Sequence, residues 1–261
     1  MMGSNKDSRA YLGYADKVDI MGVAFHRITL DAAAEMASAA RDEGRSFIIC
    51  TPNPEIVEKA RRDDDLASSL AGADLVVPDG IGVILASRIL GKPLLERVAG
   101  IDLARRLLEV ASQKHWRVFL LGTDAKTVAK AGETLRKELP GISWIGWHHG
   151  YFSKEEEEEV SDLIKRARPD LVLVGMGSPR QERWARDYGR SLGACIVLTV
   201  GGSLDVFAGK ARRAPGLVRK MGIEWLYRLL MDPKRAGRQV QLFVFGIRVL
   251  GERLRMMVRR G

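Results

Sequence analysis

Residues 170–202, DLVLVGMGSPRQERWARDYGRSLGACIVLTVGG, decide the fold class. DLVLVGMG is a short apolar, β-branched run that ends in a glycine turn, and CIVLTVGG (195–202) is another. Between them a helical segment starts at Pro179, Arg180, Gln181 and Glu182. The same alternation continues on both sides. FIIC (47–50), DLVVP (74–78), RVFLLG (117–122) and ISWIG (142–146) read as strands. PEIVEKARRDDDLASSLAG and DLARRLLEVASQKH repeat their apolar residues at helical spacing. Strands alternating with helices predict an α/β fold, a mostly parallel sheet with helices on both faces. VDIMGVAFHRIT (18–29) predicts a strand pair leading into a helix capped by Thr29 or Asp31. The Glu155–Glu159 run reads as a solvated helix start with Ser153 as its cap.

The chain has 261 residues, enough for one large α/β domain or two small ones. Its 46% hydrophobic and 29% charged residues suit a globular enzyme. Cys50 and Cys195 both sit in apolar runs, which predicts buried free thiols in a reducing compartment. The first residues carry no apolar core of signal-peptide length, so export is not expected. No uncharged apolar run reaches 18 residues, which argues against a spanning helix.

The net charge of +9 is concentrated at one end: residues 213–261 hold 12 basic and 3 acidic residues, and the remainder balances. This divides the chain into an α/β body, 1–212, and a basic helical appendage, 213–261. Such a tail attracts phosphate on a nucleotide, a nucleic acid or an anionic bilayer. Within it Ile223, Leu226, Leu229 and Leu230 share one helical face. Further on, Phe243, Ile247, Leu250, Leu254 and Val258 form a stripe beside Arg248, Glu252, Arg255 and Arg259. An apolar stripe flanked by arginines suits a bilayer interface, and equally a helix packed on protein.

Three loops after strands carry the candidate chemistry. In TPNPE (51–55) two prolines hold Thr51 and Asn53, as a polar site or as a helix cap. PDGIGV (78–83) places Asp79 where a general base would stand, or in a tight turn. GMGSPRQERW (175–184) offers free helix amides to a phosphate or a sugar hydroxyl. His148-His149 lacks ligand partners at metal spacing, and Asp63-Asp64-Asp65 reads as a solvated face inside a helical pattern, so no metal site is expected.

Taken in order, TPNPEIVEKA, ADLVVPDGIGV, RVAGIDL, VFLLG, GYF, GMGSPRQERW, VGGSLDVFAGKARRAP and GIEWLYRLLMDPKRAGR resemble the WecG/TagA/CpsF family of bacterial glycosyltransferases. The resemblance covers about residues 18 to 240. It implies a Rossmann-like body with a C-terminal appendage. It also implies inverting transfer of N-acetylmannosamine, or its uronic acid, from a UDP donor to undecaprenyl-diphosphate-linked N-acetylglucosamine in cell-envelope polysaccharide synthesis. On the family pattern Asp79 is the catalytic base, Thr51 and Asn53 line the sugar site, and Gln181 and Asp205 lie near the nucleotide-sugar. Arg228, Arg235 and Arg238 close over the diphosphate. Pro52 departs from the leucine-type residue common in the family and leaves the polar positions intact.

Several expectations follow from this likeness. Arginines are to neutralise the leaving diphosphate, so no metal or other cofactor is required. The enzyme is to be cytoplasmic, peripheral at the inner face of the plasma membrane, and able to form a homo-oligomer. UDP-glucose or another UDP-uronic acid is the alternative donor. A non-enzymatic nucleotide- or nucleic-acid-binding module is the rival class. The tail lacks the aromatic and basic alternation of single-strand binders, so no nucleic-acid partner is expected.

Overall fold

A computed structural model describes residues 16–216, 218, 224, 226, 227 and 236–258; for 236–240 it gives the backbone only. The strands are β1 (Lys17–Ile20), β2 (Val23–His26), β3 (Phe47–Cys50), β4 (Leu75–Val76), β5 (Arg117–Gly122), β6 (Ser143–His148), β7 (Leu171–Gly175) and β8 (Ile196–Thr199). The helices are α1 (Leu30–Asp42), α2 (Pro54–Ala60), α3 (Asp64–Ala71), α4 (Ile81–Ile89), α5 (Gly100–Gln113), α6 (Ala125–Glu138), α7 (Glu157–Ala167), α8 (Arg180–Tyr188), α9 (Ser203–Phe207) and α10 (Ala236–Val258).

Strands β3 to β8 form one parallel sheet in the order β4-β3-β8-β7-β5-β6. Every residue of β3, β7 and β8 is buried, as the continuous apolar runs predict for strands covered on both faces. The sheet separates two cores. Side chains of α1, α5, α6 and α9 fill one. Those of α2, α3, α4, α7, α8, the β1–β2 hairpin, and Phe245 and Val249 of α10 fill the other. The antiparallel hairpin stands against the short edge strand β4, where Val76 N–H donates to Nδ1 of buried His26 at 3.0 Å. At the opposite edge Trp147 of β6 lies over α6. A Cβ on Gly132 would come within 2.6 Å of its ring, so only glycine allows this approach.

Thr29 caps α1 by accepting from Ala32 N–H, which settles the choice between Thr29 and Asp31. Two expectations need correction. Ser153 does not cap α7. Glu156 reaches back to accept from Ser153 N–H at 2.6 Å, closing a turn there, and the helix begins one turn later. Glu157, Glu158 and Glu159 then place negative charge against the helix N-terminus. The 54–72 pattern is two helices, and Asp63 is a cap instead of part of a solvated face. Its backbone is extended and Oδ1 accepts from Leu66 N–H at 3.0 Å. Asp63 and Asp65 also receive Arg183, and Asp65 receives Arg186, which ties α3 to α8. Short carboxylates compete for the helix-start amides, and here that competition broke the helix.

Both cysteines are buried and free, and burial pushes their thiols up. Among the described residues, no helix is long and apolar enough to cross a membrane.

Candidate active site

A cleft of ≈ 880 Å³ opens at the carboxyl ends of β3, β4, β7 and β8, where parallel α/β sheets hold their ligands. Thr51, Asn53, Asp79, Gln181 and Asp205 all line it. The fold has therefore gathered five candidate residues from the segments that follow four separate strands, two of them first turns of helices. Arg228 and Arg235 lie outside the described residues. Arg238 is placed by its backbone in α10, and its side chain lies outside the description.

Thr51 follows β3 directly, and its hydroxyl donates to the carbonyl of Thr199, the last residue of β8, at 2.9 Å. The proton is committed to the sheet, so the hydroxyl can offer a ligand only an acceptor. Asn53 caps α2: its Oδ1 accepts from Ile56 N–H at 3.0 Å, and Pro54 sits at the first helical position. The cap is real, and it leaves the side-chain NH2 as the group Asn53 can present to the cleft. The two readings of TPNPE are thus compatible.

Asp79 sits in the turn after β4. Its N–H donates to Pro52 O at 3.2 Å, and Gly80 beside it adopts φ 91°, a conformation that favours glycine. Oδ2 accepts from Gly100 N–H, the first residue of α5, at 3.2 Å. Gly100 has no room for a side chain, since a Cβ would meet Thr51 Oγ1 at 2.8 Å. The base candidate, the sugar-site threonine and the start of α5 thus brace one another.

Gln181, 2% exposed, forms part of the cleft wall. Its Oε1 accepts from Gly201 N–H at 3.0 Å and its Nε2 donates to Glu182 Oε1 at 2.8 Å. Burial raises the Glu182 carboxyl above its usual range. Asp205 accepts from the Thr123 hydroxyl at 2.8 Å and stands 3.9 Å from Lys210 Nζ. Lys210 donates at 2.6 Å to Asp124, and this bond, with those from Thr127, holds Asp124 well below the usual carboxylate range.

Sequence reasoning did not assign Lys59, Arg97, Lys210 and Arg212, which also line the cleft. Arg97 lies in the quoted RVAGIDL segment and pairs with Glu224 of the appendage at 3.3 Å. Lys59 lies one helical turn from Glu55, which it pairs at 2.9 Å; that i, i+4 spacing was the available signal. Among the described residues, no three His, Cys, Asp or Glu side chains stand together as a metal-binding group.

The family model described as the glycosyl transferase WecG/TagA/CpsF family matches residues 18–259. Relatives from Staphylococcus aureus strains MW2 and NCTC 8325 / PS 47 are each 40% identical over 231 residues, spanning 88% of this chain and 90% of the relative. A relative from strain MRSA252 is 39% identical with the same coverage. All three are named N-acetylglucosaminyldiphosphoundecaprenol N-acetyl-beta-D-mannosaminyltransferase. A parallel sheet with this cleft at its carboxyl edge, and a match along nearly the whole length, lead to one conclusion: the chain belongs to the WecG/TagA/CpsF family of glycosyltransferases.

Proposed function

We propose that the chain transfers an N-acetylmannosamine-type sugar, with inversion, from a UDP donor to N-acetylglucosamine carried on a polyprenyl diphosphate. The observation that carries this reading is the convergence of Asp79, Asn53, Thr51, Gln181 and Asp205 on one cleft, together with the activity for which relatives matching 88% of the chain are named.

A sugar hydroxyl is a poor nucleophile. Asp79 takes its proton as oxygen attacks the anomeric carbon from the face opposite UDP. The Gly100 N–H at Oδ2 fixes the carboxylate's orientation without supplying a proton it would have to give up. The Asn53 amide and the Thr51 hydroxyl oxygen bind sugar hydroxyls, and Gln181 and Asp205 serve the nucleotide end. Negative charge growing on the departing diphosphate is met by cations: Arg228, Arg235 and Arg238 of the appendage, with Arg97 in the cleft wall.

Arginines serve in this reading, and support comes from how the carboxylates along the cleft are held, two by cations and two by hydrogen bonds. Asp79 accepts from Gly100, Asp205 from Thr123, Glu55 pairs Lys59, and Glu224 pairs Arg97. The appendage closes over the donor and excludes water.

In this reading the enzyme works as a peripheral protein at the inner leaflet, where a lipid-linked acceptor would be met. Support comes from α10, on which Phe243, Ile247, Leu250, Leu254 and Val258 are between 54% and 81% exposed while Phe245 and Val249 are buried. Much of the stripe foreseen in the sequence is therefore open to solvent, and an exposed apolar band beside arginines suits an anionic bilayer.

A screen of UDP-N-acetylmannosamine, UDP-N-acetylmannosaminuronic acid and UDP-glucose against a short-chain lipid-diphosphate N-acetylglucosamine tests the reading. Turnover with an N-acetylmannosamine-type donor, unchanged by chelator, is expected. Preference for UDP-glucose would overturn the donor assignment, and loss of turnover in chelator would overturn the arginine chemistry.

A further inference from the structure

Resting on the peripheral-membrane reading above, we infer that the membrane-facing surface is not confined to the appendage. Helix α4 of the catalytic body, which starts just after Asp79, contributes Leu85 and Ile89 to it. The occupant is the acyl region of an anionic bilayer.

The geometry follows from going round α10 at about 3.6 residues per turn. Arg248 pairs with Glu58 of α2 at 2.7 Å, so that flank faces α2. Next come Phe245 and Val249, 2% and 1% exposed, in the core. Leu242 and Arg253 follow and face α4 and its end. A Cβ built on Gly82 would meet Leu242 at 3.2 Å, and one on Gly91 would meet Arg253 Nη1 at 3.5 Å. The two contacts advance together along both chains, so α4 and α10 run side by side in the same direction. Continuing round beyond Leu242 and Arg253 come Leu250, Phe243, Leu254 and Ile247, so the exposed stripe begins on the side of α4 and faces outward from the body.

On α4, Gly82, Leu85 and Ile89 share one face at i, i+3 and i+7. That face begins against Leu242, yet Leu85 is 47% and Ile89 38% exposed. Two large aliphatic side chains therefore lie half open beside the open stripe of the neighbouring helix. Together they form one apolar surface wider than a single helix could present.

Charge selects the occupant. The appendage carries 12 basic and 3 acidic residues, and Arg255 is 78% exposed. A second copy seated on this face would bring two such tails together, whereas anionic headgroups neutralise them. The placement has a consequence for the reaction. Ile81 and Leu242 belong both to this helix pair and to the wall of the cleft. Leu85 lies about 6 Å along the axis from the start of α4, at about 1.5 Å per residue. A diphosphate and one sugar can span that length, so the acceptor's chain stays in the bilayer while its sugar reaches Asp79.

Site-directed spin labelling tests this. Both native cysteines are fully buried, so a nitroxide reagent reports on introduced thiols. Labels at Leu85→Cys, Ile89→Cys and Leu250→Cys, with Lys126→Cys on exposed α6 as control, are measured with and without vesicles of phosphatidylglycerol and phosphatidylcholine. Equal unfolding midpoints establish that each variant folds. With vesicles, labels at 85, 89 and 250 should become several-fold more accessible to oxygen than to a nickel chelate, and the label at 126 should not change. Protection at 250 with none at 85 and 89 would overturn the inference while leaving the appendage as a membrane anchor. Protection at none of the three would overturn the membrane reading itself. Shielding at 85 and 89 from both probes before vesicles are added would assign the face to a second copy.

Discussion

Replacing Arg248 by methionine should destabilise the protein through a residue 190 positions away in sequence. Glu58 is 1% exposed; its Oε2 accepts from Arg248 Nη1 at 2.7 Å, and its Oε1 is buried without a hydrogen bond. One guanidinium therefore accounts for most of what keeps a carboxylate inside the core between α2 and α10. Removing one member of a fully buried pair costs about 3–5 kcal/mol. Arg248 is 35% exposed and part of its field is screened, so about 2 kcal/mol is the appropriate expectation. For a chain of this size that lowers the unfolding midpoint by about 4–8 °C. The reverse change, Glu58→Leu, should cost under about 1 kcal/mol, because Arg248 can turn to water. The double variant Glu58→Leu/Arg248→Met should regain stability to within about 1 kcal/mol of the parent. Urea unfolding of the four proteins completes the cycle. An Arg248→Met protein within about 0.5 kcal/mol of the parent, or a double variant no better than Arg248→Met, would show that Arg248 does not hold Glu58 in the core.

Two further changes probe the frame of the site. Gly100→Ala would stabilise a helix start in open space by about 0.5–1 kcal/mol. Here the methyl would meet Thr51 Oγ1 at 2.8 Å, so unfolding should show a loss of about 1–3 kcal/mol, and a gain would contradict the tight packing. His26 gives a pH signature. Burial pushes it down from 6.5 to about 4, so the unfolded chain binds the extra proton between those values. The stability it supplies is complete above pH 6.5 and is lost as pH falls toward 4. Between pH 7.5 and 4.5 the parent should lose about 2.5 kcal/mol more than His26→Gln, in which the amide oxygen can still accept from Val76 N–H. The comparison is needed because buried Glu182, with its raised carboxyl, shifts stability in the opposite sense. Equal losses in the two proteins would contradict the assignment.

The central strands of the sheet were legible because a strand buried on both faces has nowhere to put a polar side chain: FIIC, LVLVG and IVLT are buried throughout. The caps at Thr29 and Asn53 were legible as one of two candidates each, for a local reason, since each needs only its own amide three residues on. What failed was also local but competitive. Asp63 could extend one helix or begin another, and the outcome depended on Arg183 and Arg186, more than a hundred residues away. Ser153 lost its cap to Glu156, a choice between two side chains that a sequence pattern ranks only by preference. The cleft cations had a different obstacle. Arg97 and Lys210 look like any surface base until the fold sets them opposite Glu224 and Asp205. The exposed face of α4 was hidden because Leu85 and Ile89 sit in a run, IGVILASRI, in which the open and the buried aliphatic residues are alike.

Whether Asp79 is the base is decided by steady-state transfer with Asp79→Asn. Asparagine keeps the shape and can still accept from Gly100 N–H, so UDP affinity and the unfolding midpoint should hold. The account predicts that kcat falls by about 10²–10⁴-fold, the contribution of a positioned general base. A kcat within about threefold of the parent, with the fold and nucleotide binding intact, would contradict it.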